Sequence, residues 1–272
     1  MTQATESFLC HEVSVEIGGL PIVLRTQDAD FRALLERRYA GFVRNTVDPH
    51  FAFDVDITRR DRPISKNEEL AVWREGGIWR LERGDFQAEW DPQAGRGRML
   101  SPLSPYGVDS VLRIVHTLIQ ASEGGFLLHG ASAIRNGRAF LFSGVSGAGK
   151  TTISSLAPKD ATLLTDEISY VRRDGDEYRA CGTPFAGELA RLGENRSATI
   201  ARLYFLAKGP DNRIDPIDPA DALRMLLRNV LFFADDADLV ERVFRSAFDF
   251  LARVPAFWLT FYPDARVWDL IR

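Results

Sequence analysis

Apolar positions in the first hundred residues recur mostly with a period of two. Residues 13–24 are rich in strand formers, and Phe51, Phe53, Val55 and Ile57 alternate with polar neighbours as a half-buried strand requires. Between them, Phe31, Leu34, Leu35 and Tyr39 fall at helical spacing within residues 29–44. Residues 73–90 read as a hairpin or meander that turns at Glu75-Gly76-Gly77 and near Arg83-Gly84-Asp85. Residues 91–105, rich in Gly, Pro and Ser, read as a seam. The pattern predicts a small α+β N-terminal unit over residues 1–104. Its His11 and His50 stand alone, and nothing in it has a catalytic pattern.

The period changes after residue 105. Val108, Val111, Leu112, Val115, Leu118 and Ile119 share one face of a helix expected over 106–122. Asn136-Gly137 then separates two apolar runs, the strongest short signal for a tight hairpin. Residues 151–157 allow about two helical turns before Pro158. Residues 161–165 read as a strand ending at Asp166-Glu167, and the runs 168–171 and 178–181 flank a second hairpin at Asp174-Gly175-Asp176. The remaining chain is expected to be mainly helical. Asp218-Pro219 opens one helix through Leu223, Leu226, Leu227, Val230 and Leu231. A second spans about 236–253, and a strand over 257–262 leads to a short terminal helix. A doubly wound fold sets parallel strands one long helix apart. Hairpins and a short helix here predict instead an α/β domain over residues 105–272 with a mixed sheet, in a chain that is α+β overall.

Composition narrows the classes. The chain has 272 residues, 45% hydrophobic and 26% charged, with a net charge of −4, which is ordinary for a globular protein able to bury a core. No basic stripe points to nucleic acid, and no apolar run approaches the ~20 residues of a membrane span. The start, MTQATESFLCHEV, lacks a charged and apolar leader, so no signal peptide is expected. Cys10 and Cys181 show neither a disulfide framework nor metal spacing. These features set the expectation of a cytoplasmic protein with no nucleic-acid or membrane partner, and leave a homo-oligomer open.

The chemistry gathers around one stretch. Gly144-Val145-Ser146-Gly147-Ala148-Gly149-Lys150-Thr151 fits G-x-x-x-x-G-K-[ST], after an apolar run and before a helix start. Glycines there let backbone amides approach phosphate oxygens, Lys150 offsets β/γ-phosphate charge, and the Thr151 hydroxyl reaches Mg2+. The next residue, Thr152, is assigned with them to nucleotide binding. Mg2+ takes one or two carboxylates and keeps water, which makes Asp166 and Glu167 its natural neighbours. Adjacent acids on a strand point in different directions, so one is free to hold metal while the other faces an acceptor. His129, in Leu128-His129-Gly130, is a candidate contact to the γ-phosphate or to a carboxylate. Glu188, which ends Gly182-Thr183-Pro184-Phe185-Ala186-Gly187-Glu188, is a candidate metal-side carboxylate on a flap, with Arg191 and Arg196 as supplementary cations.

Taken in order, LHGASAI, GVSGAGKT, LLTDE and GTPFAGE resemble the HPr kinase/phosphorylase family and its HPr-kinase-related relatives, which share a nucleotide-binding core with the ATP-dependent phosphoenolpyruvate carboxykinases. The resemblance is clear over residues 125–188, looser through the rest of the C-terminal half, and absent from the first hundred residues. It implies a serine kinase using ATP and Mg2+, with Asp166 as base toward the acceptor hydroxyl, Glu167 in the place of a second aspartate, and His129 in a His-Gly pair. The family's signature segment, tied to HPr recognition and phosphorolysis, has no counterpart here. GTPFAGE stands in that region and offers no cation to hold an attacking phosphate. The resemblance therefore implies neither HPr as acceptor nor the reverse reaction. Some relatives phosphorylate a serine of a precursor peptide. The expected activity is transfer of the ATP γ-phosphate to a protein or peptide hydroxyl. The alternatives are a small-molecule hydroxyl kinase and a non-catalytic module that senses ATP.

Overall fold

A computed structural model describes residues 10–58, 69–185 and 193–272. The chain divides into two compact units, Met1–Glu16 with Leu20–Arg113, and Ile17–Gly19 with Ile114–Arg272.

The first unit is built on a seven-stranded mixed sheet. Its elements in chain order are β1 (His11–Ile17), β2 (Leu20–Thr26), helix α1 (Ala29–Arg38), β3 (Phe51–Ile57), β4 (Ala71–Glu75), β5 (Ile78–Arg83), β6 (Phe86–Asp91) and β7 (Arg96–Ser101). The strand order is β1-β2-β3-β7-β6-β5-β4, in which β2, β3 and β7 run parallel and β7 to β4 form an antiparallel meander. Residues 13–24 are thus two strands broken at Gly18-Gly19, not one. The stretch 91–105 holds β7, which pairs with β3 and β6, so its small and polar residues belong to a sheet rather than a linker. α1 begins where Asp28 Oδ1 accepts the Phe31 amide proton at 2.8 Å, and it lays Phe31 and Leu35 into the core. Phe31, Phe42, Phe51 and Phe53 are almost fully buried, each contributing roughly 1.5–3 kcal/mol by leaving water. Trp79 and Trp90 face each other across β5 and β6 and are buried, whereas Trp73 on β4 is 41% exposed.

The second unit starts within helix α2 (Pro105–Glu123), whose expected apolar face is buried throughout. It continues with β8 (Phe126–Arg135), β9 (Arg138–Ser143), α3 (Lys150–Ser155), β10 (Thr162–Thr165), β11 (Ile168–Asp174), β12 (Glu177–Cys181), β13 (Ser197–Lys208), β14 (Arg213–Pro216), α4 (Pro219–Asn229), β15 (Val230–Leu231), α5 (Ala237–Arg253), β16 (Ala256–Phe261) and a terminal 3-10 helix (Ala265–Leu270). β13, β14 and β15 overturn the expectation that the chain beyond the second hairpin is mainly helical. The nine strands make a mixed sheet, as the hairpins predicted. Asn136 and Gly137, at φ 51° and 76°, close the β8–β9 hairpin with Arg135 opposite Arg138. β9 is flanked by β8, antiparallel, and β13, parallel, while β13 also runs parallel to β16. The C-terminal ends of β9, β13 and β16 therefore share one edge. α4 and α5 start at Asp218 and Asp236, whose side chains accept first-turn amide protons. Their apolar faces cover one side of the sheet with Leu128, Leu203 and Phe205. On the other side, Ala131, Ala133, Phe140, Phe142, Tyr204, Leu206, Leu259 and Phe261 pack with Ala148, Ile153 and Trp268. Among the described residues no helix is long and apolar enough to cross a membrane.

Candidate functional site

The site lies where that second apolar face reaches the strand ends. Side chains on a strand alternate between its two faces, so each row of core residues points to the group at its end. Phe140 and Phe142 lead out of β9 into the glycine-rich loop. Ala133 and Ala131, read backwards along β8, lead to His129. Gly149 caps α3 with φ 113°, and a Cβ there would stand 2.7 Å from Phe261 Cζ, so both conformation and space demand glycine. Behind α3, the Trp268 indole donates to the Ile153 carbonyl at 3.0 Å and anchors the short helix from below.

Lys150 is 9% exposed, and its Nζ donates to the carbonyls of Gly144 at 3.0 Å and Val145 at 3.4 Å. The ammonium is thereby folded against its own loop. Asp166, 3% exposed, and Glu167 occupy the step between β10 and β11, which pair with successive stretches of β8. The step is fixed locally. Thr165 Oγ1 accepts the amide protons of Glu167 and Ile168, both at 3.2 Å, and the Gly130 amide donates to the Glu167 carbonyl at 2.8 Å. Thr183, the start of the second Gly/Pro turn, pins the same region by donating its hydroxyl to the Ile168 carbonyl at 2.9 Å and its amide to that of Leu164 at 3.2 Å.

A cavity of about 280 Å3 is walled by His129, Ser146, Gly147, Gly149, Lys150, Thr151, Thr152, Asp166, Glu167 and Lys208. Burial first, and then the Lys150 charge, push the His129 imidazole below its ordinary value, against a backbone hydrogen bond with Glu167. The net effect favours the neutral ring. The oxygen donors on the wall, a Thr151 hydroxyl and two carboxylates, suit Mg2+, a hard cation that completes its shell with water and phosphate. Among the described residues no group of three or more His, Cys, Asp or Glu side chains makes a self-sufficient metal site.

A family model described as SynChlorMet cassette protein ScmC matches residues 106–272, more than half of the chain. The chain belongs to the ScmC family. The match takes in every element of the second unit from α2 onward, including the whole wall of the cavity. No curated protein matches the ScmC-family chain. Among solved structures, the Hpr(Ser) kinase/phosphatase from Coxiella burnetii is similar at 11% identity, over 53% of this chain and 85% of that one, with a TM-score of 0.31.

Most of the site residues read from the sequence of this ScmC member thus surround one space. Gly144, Val145 and Ala148 do not line it. Gly144 and Ala148 pack the inner side of the loop, where a Cβ on Gly144 would stand 2.9 Å from that of Ala148, and Val145 is 58% exposed. Glu188 and Arg191 lie outside the described residues. Arg196 donates to Thr162 Oγ1 at 3.0 Å with its side chain 58% exposed, and is not part of the wall. Neither Cys10 nor Cys181 forms a disulfide among the described residues. The residue that sequence reasoning missed is Lys208, at the last position of β13. Only part of its signal is local: the run Leu203-Tyr-Phe-Leu-Ala207 followed by Lys208-Gly209-Pro210 marks a buried element ending in a charge and a turn, without distinguishing strand from helix.

Proposed function

We propose that this protein is a phosphotransferase that moves the γ-phosphate of ATP onto a hydroxyl, with a serine of a protein or peptide as acceptor. The observation that carries the reading is the convergence on one cavity of the loop with Lys150, the Thr151 hydroxyl, the Asp166 and Glu167 carboxylates, and the His129 ring. Phosphoryl transfer asks a protein for positioning and charge compensation more than for covalent chemistry. The loop amides and Lys150 hold the β- and γ-phosphates. Thr151 and Glu167 are the groups that would hold Mg2+, which when bound offsets phosphate charge. Asp166 takes the proton of the acceptor hydroxyl as the oxygen–phosphorus bond forms and the bond from the γ-phosphorus to the bridging oxygen breaks, leaving ADP. Neutral His129 supplies a hydrogen bond beside Lys150 without adding a competing cation. Because Lys150 is folded onto Gly144 and Val145, nucleotide entry exchanges two carbonyl acceptors for charged phosphate oxygens, a stronger pairing.

The test is incubation with γ-labelled ATP and candidate acceptors, beginning with the products of the cassette that the family description names. Label is expected in a protein or peptide fraction with wild type and absent with Lys150→Ala, whose fold is retained because its ammonium bonds the carbonyls of a loop. Equal labelling by a folded Lys150→Ala protein rejects the phosphate-loop chemistry. Nucleotide binding without transfer to any fraction favours the regulatory alternative.

A further inference from the structure

We infer that Lys208 is a second phosphate-binding cation of this site, one that contacts the terminal phosphate of the triphosphate and not the inner ones. The inference rests on the ATP-dependent reading above and assigns to that site a ligand group the loop motif does not supply.

The pleat of β13 sets the direction of this side chain. Tyr204 and Leu206 belong to the core cluster with Ala148 and Ile153, whereas Leu203 and Phe205 belong to the opposite one. Lys208 continues the row of Tyr204 and Leu206, so its side chain leaves the strand on the loop's side. Leu206 lies directly beneath the loop, since a Cβ on Gly144 would meet Leu206 Cβ at 3.7 Å. Two residues further on, the row emerges from the core as a lysine. Register fixes how far it emerges: β13 pairs Phe205 with Ser143, the last residue of β9, and then continues beside β16 until Lys208 stands opposite Phe261. Three residues of strand span about 10 Å. Lys208 is thereby carried three strand positions past the level at which β9 ends and the loop begins. It lines the cavity with Lys150, Asp166 and Glu167. Among the described residues it makes no salt bridge, and it is exposed, so its ammonium is free to follow a ligand. The turn behind it is tight: the Gly209 amide donates to the Phe261 carbonyl at 3.2 Å, which ends the strand at this point.

The two lysines then divide the work. Lys150 is buried and tethered to the loop, serving phosphates inside it; Lys208 is exposed and serves the group being transferred.

The experiment measures ATP and ADP affinity by calorimetry with Mg2+ for the full-length wild type, Lys208→Ala and Lys208→Arg. One lost charge-assisted contact predicts roughly tenfold weaker ATP binding by Lys208→Ala, with ADP affinity changed by less than about twofold. Lys208→Arg is expected to keep ATP affinity within about threefold, since the charge is conserved. Equal weakening of ATP and ADP would mean that Lys208 merely balances the wall carboxylates, and would overturn the inference; so would unchanged affinity for both. A wild type that binds neither nucleotide overturns the phosphotransferase reading itself, and this inference with it. Because Lys208 is exposed, both variants are expected to fold, with thermal midpoints equal to that of wild type.

Discussion

Asp109 in the first unit and Asp166 in the second are equally hidden from water, each 3% exposed. Their surroundings differ in kind. Asp109 Oδ2 accepts from Arg38 Nη2 at 2.5 Å and Nε at 3.1 Å, and Oδ1 accepts from the Tyr39 hydroxyl at 2.7 Å. Burial and then the Asp109 charge push the Tyr39 phenol far above its ordinary value, so it remains a donor. Both oxygens of Asp109 therefore accept from neighbouring side chains within the first unit. Asp166 stands instead on the wall of a cavity it shares with two lysines, a glutamate and a histidine. A buried carboxylate is costly unless compensated. In one unit the compensation is internal, supplied by Arg38 and Tyr39. In the other the charged groups are collected around an open cavity, and on the proposed reading a bound nucleotide adds to their compensation.

The sharpest way to break this comparison is to neutralise Asp166 without changing its shape. Asp166→Asn is expected to lower turnover by ~10^2 to 10^4, the range for loss of a general base. On the proposed reading ATP affinity should fall far less, because Thr151 and Glu167 would still be there to hold Mg2+. Thermal stability should barely change. Full activity together with a stability loss would place Asp166 in the same class as Asp109, and the contrast would collapse.

Asp109→Ala is the counterpart. It strands the buried Tyr39 hydroxyl and leaves Arg38 unpaired, although Arg38 keeps a fifth of its side chain in water. The expected cost is about 3 kcal/mol, the lower end for breaking a buried pair, measured by urea unfolding. A loss below about 0.5 kcal/mol, typical of an ordinary surface change, would show that the network is not what holds this part of the first unit.

Legibility in the sequence divides in the same way, between local and distant causes. The loop, the strand end at Asp166-Glu167, the Asn136-Gly137 hairpin and the cap at Asp218 are specified by residues within a few positions of each other. Each was readable for that reason. β13 was not, because a continuous apolar run such as Leu203-Tyr-Phe-Leu-Ala207 carries no period that separates a buried strand from a helix. Its identity comes from β9 and β16, distant in the chain, on either side of it. Lys208 was lost with the strand that carries it. β7 was obscured similarly, since Gly97 and its polar neighbours look like a linker until β3 and β6 are placed alongside.

The smallest expected effect tests whether saturation, and not membership of a unit, sets the class. Asp249 on α5 belongs to the second unit, yet its oxygens accept from the Tyr178 hydroxyl at 2.8 Å and from Arg253 Nε at 3.0 Å. Burial pushes this carboxyl up, but the bonds from Tyr178 and Arg253 and the charges of Arg173 and Arg253 outweigh it and hold it below the ordinary carboxylate value. A carboxyl that binds its proton more weakly when folded stabilises the fold above the unfolded value, about 4, and loses that contribution as pH falls through the folded value. Solvent screens the pair, since the Asp249 side chain is 30% exposed, and the contribution at neutral pH should stay below about 1 kcal/mol. Asp249→Asn is therefore expected to be slightly less stable than wild type at pH 7, with unfolding midpoints that converge in acid, and to leave phosphoryl transfer unchanged. A gap that persists undiminished at about pH 2, below the usual carboxylate range, would mean that shape, and not charge, matters at Asp249. Altered transfer would mean that the self-satisfied networks of the second unit reach its cavity after all.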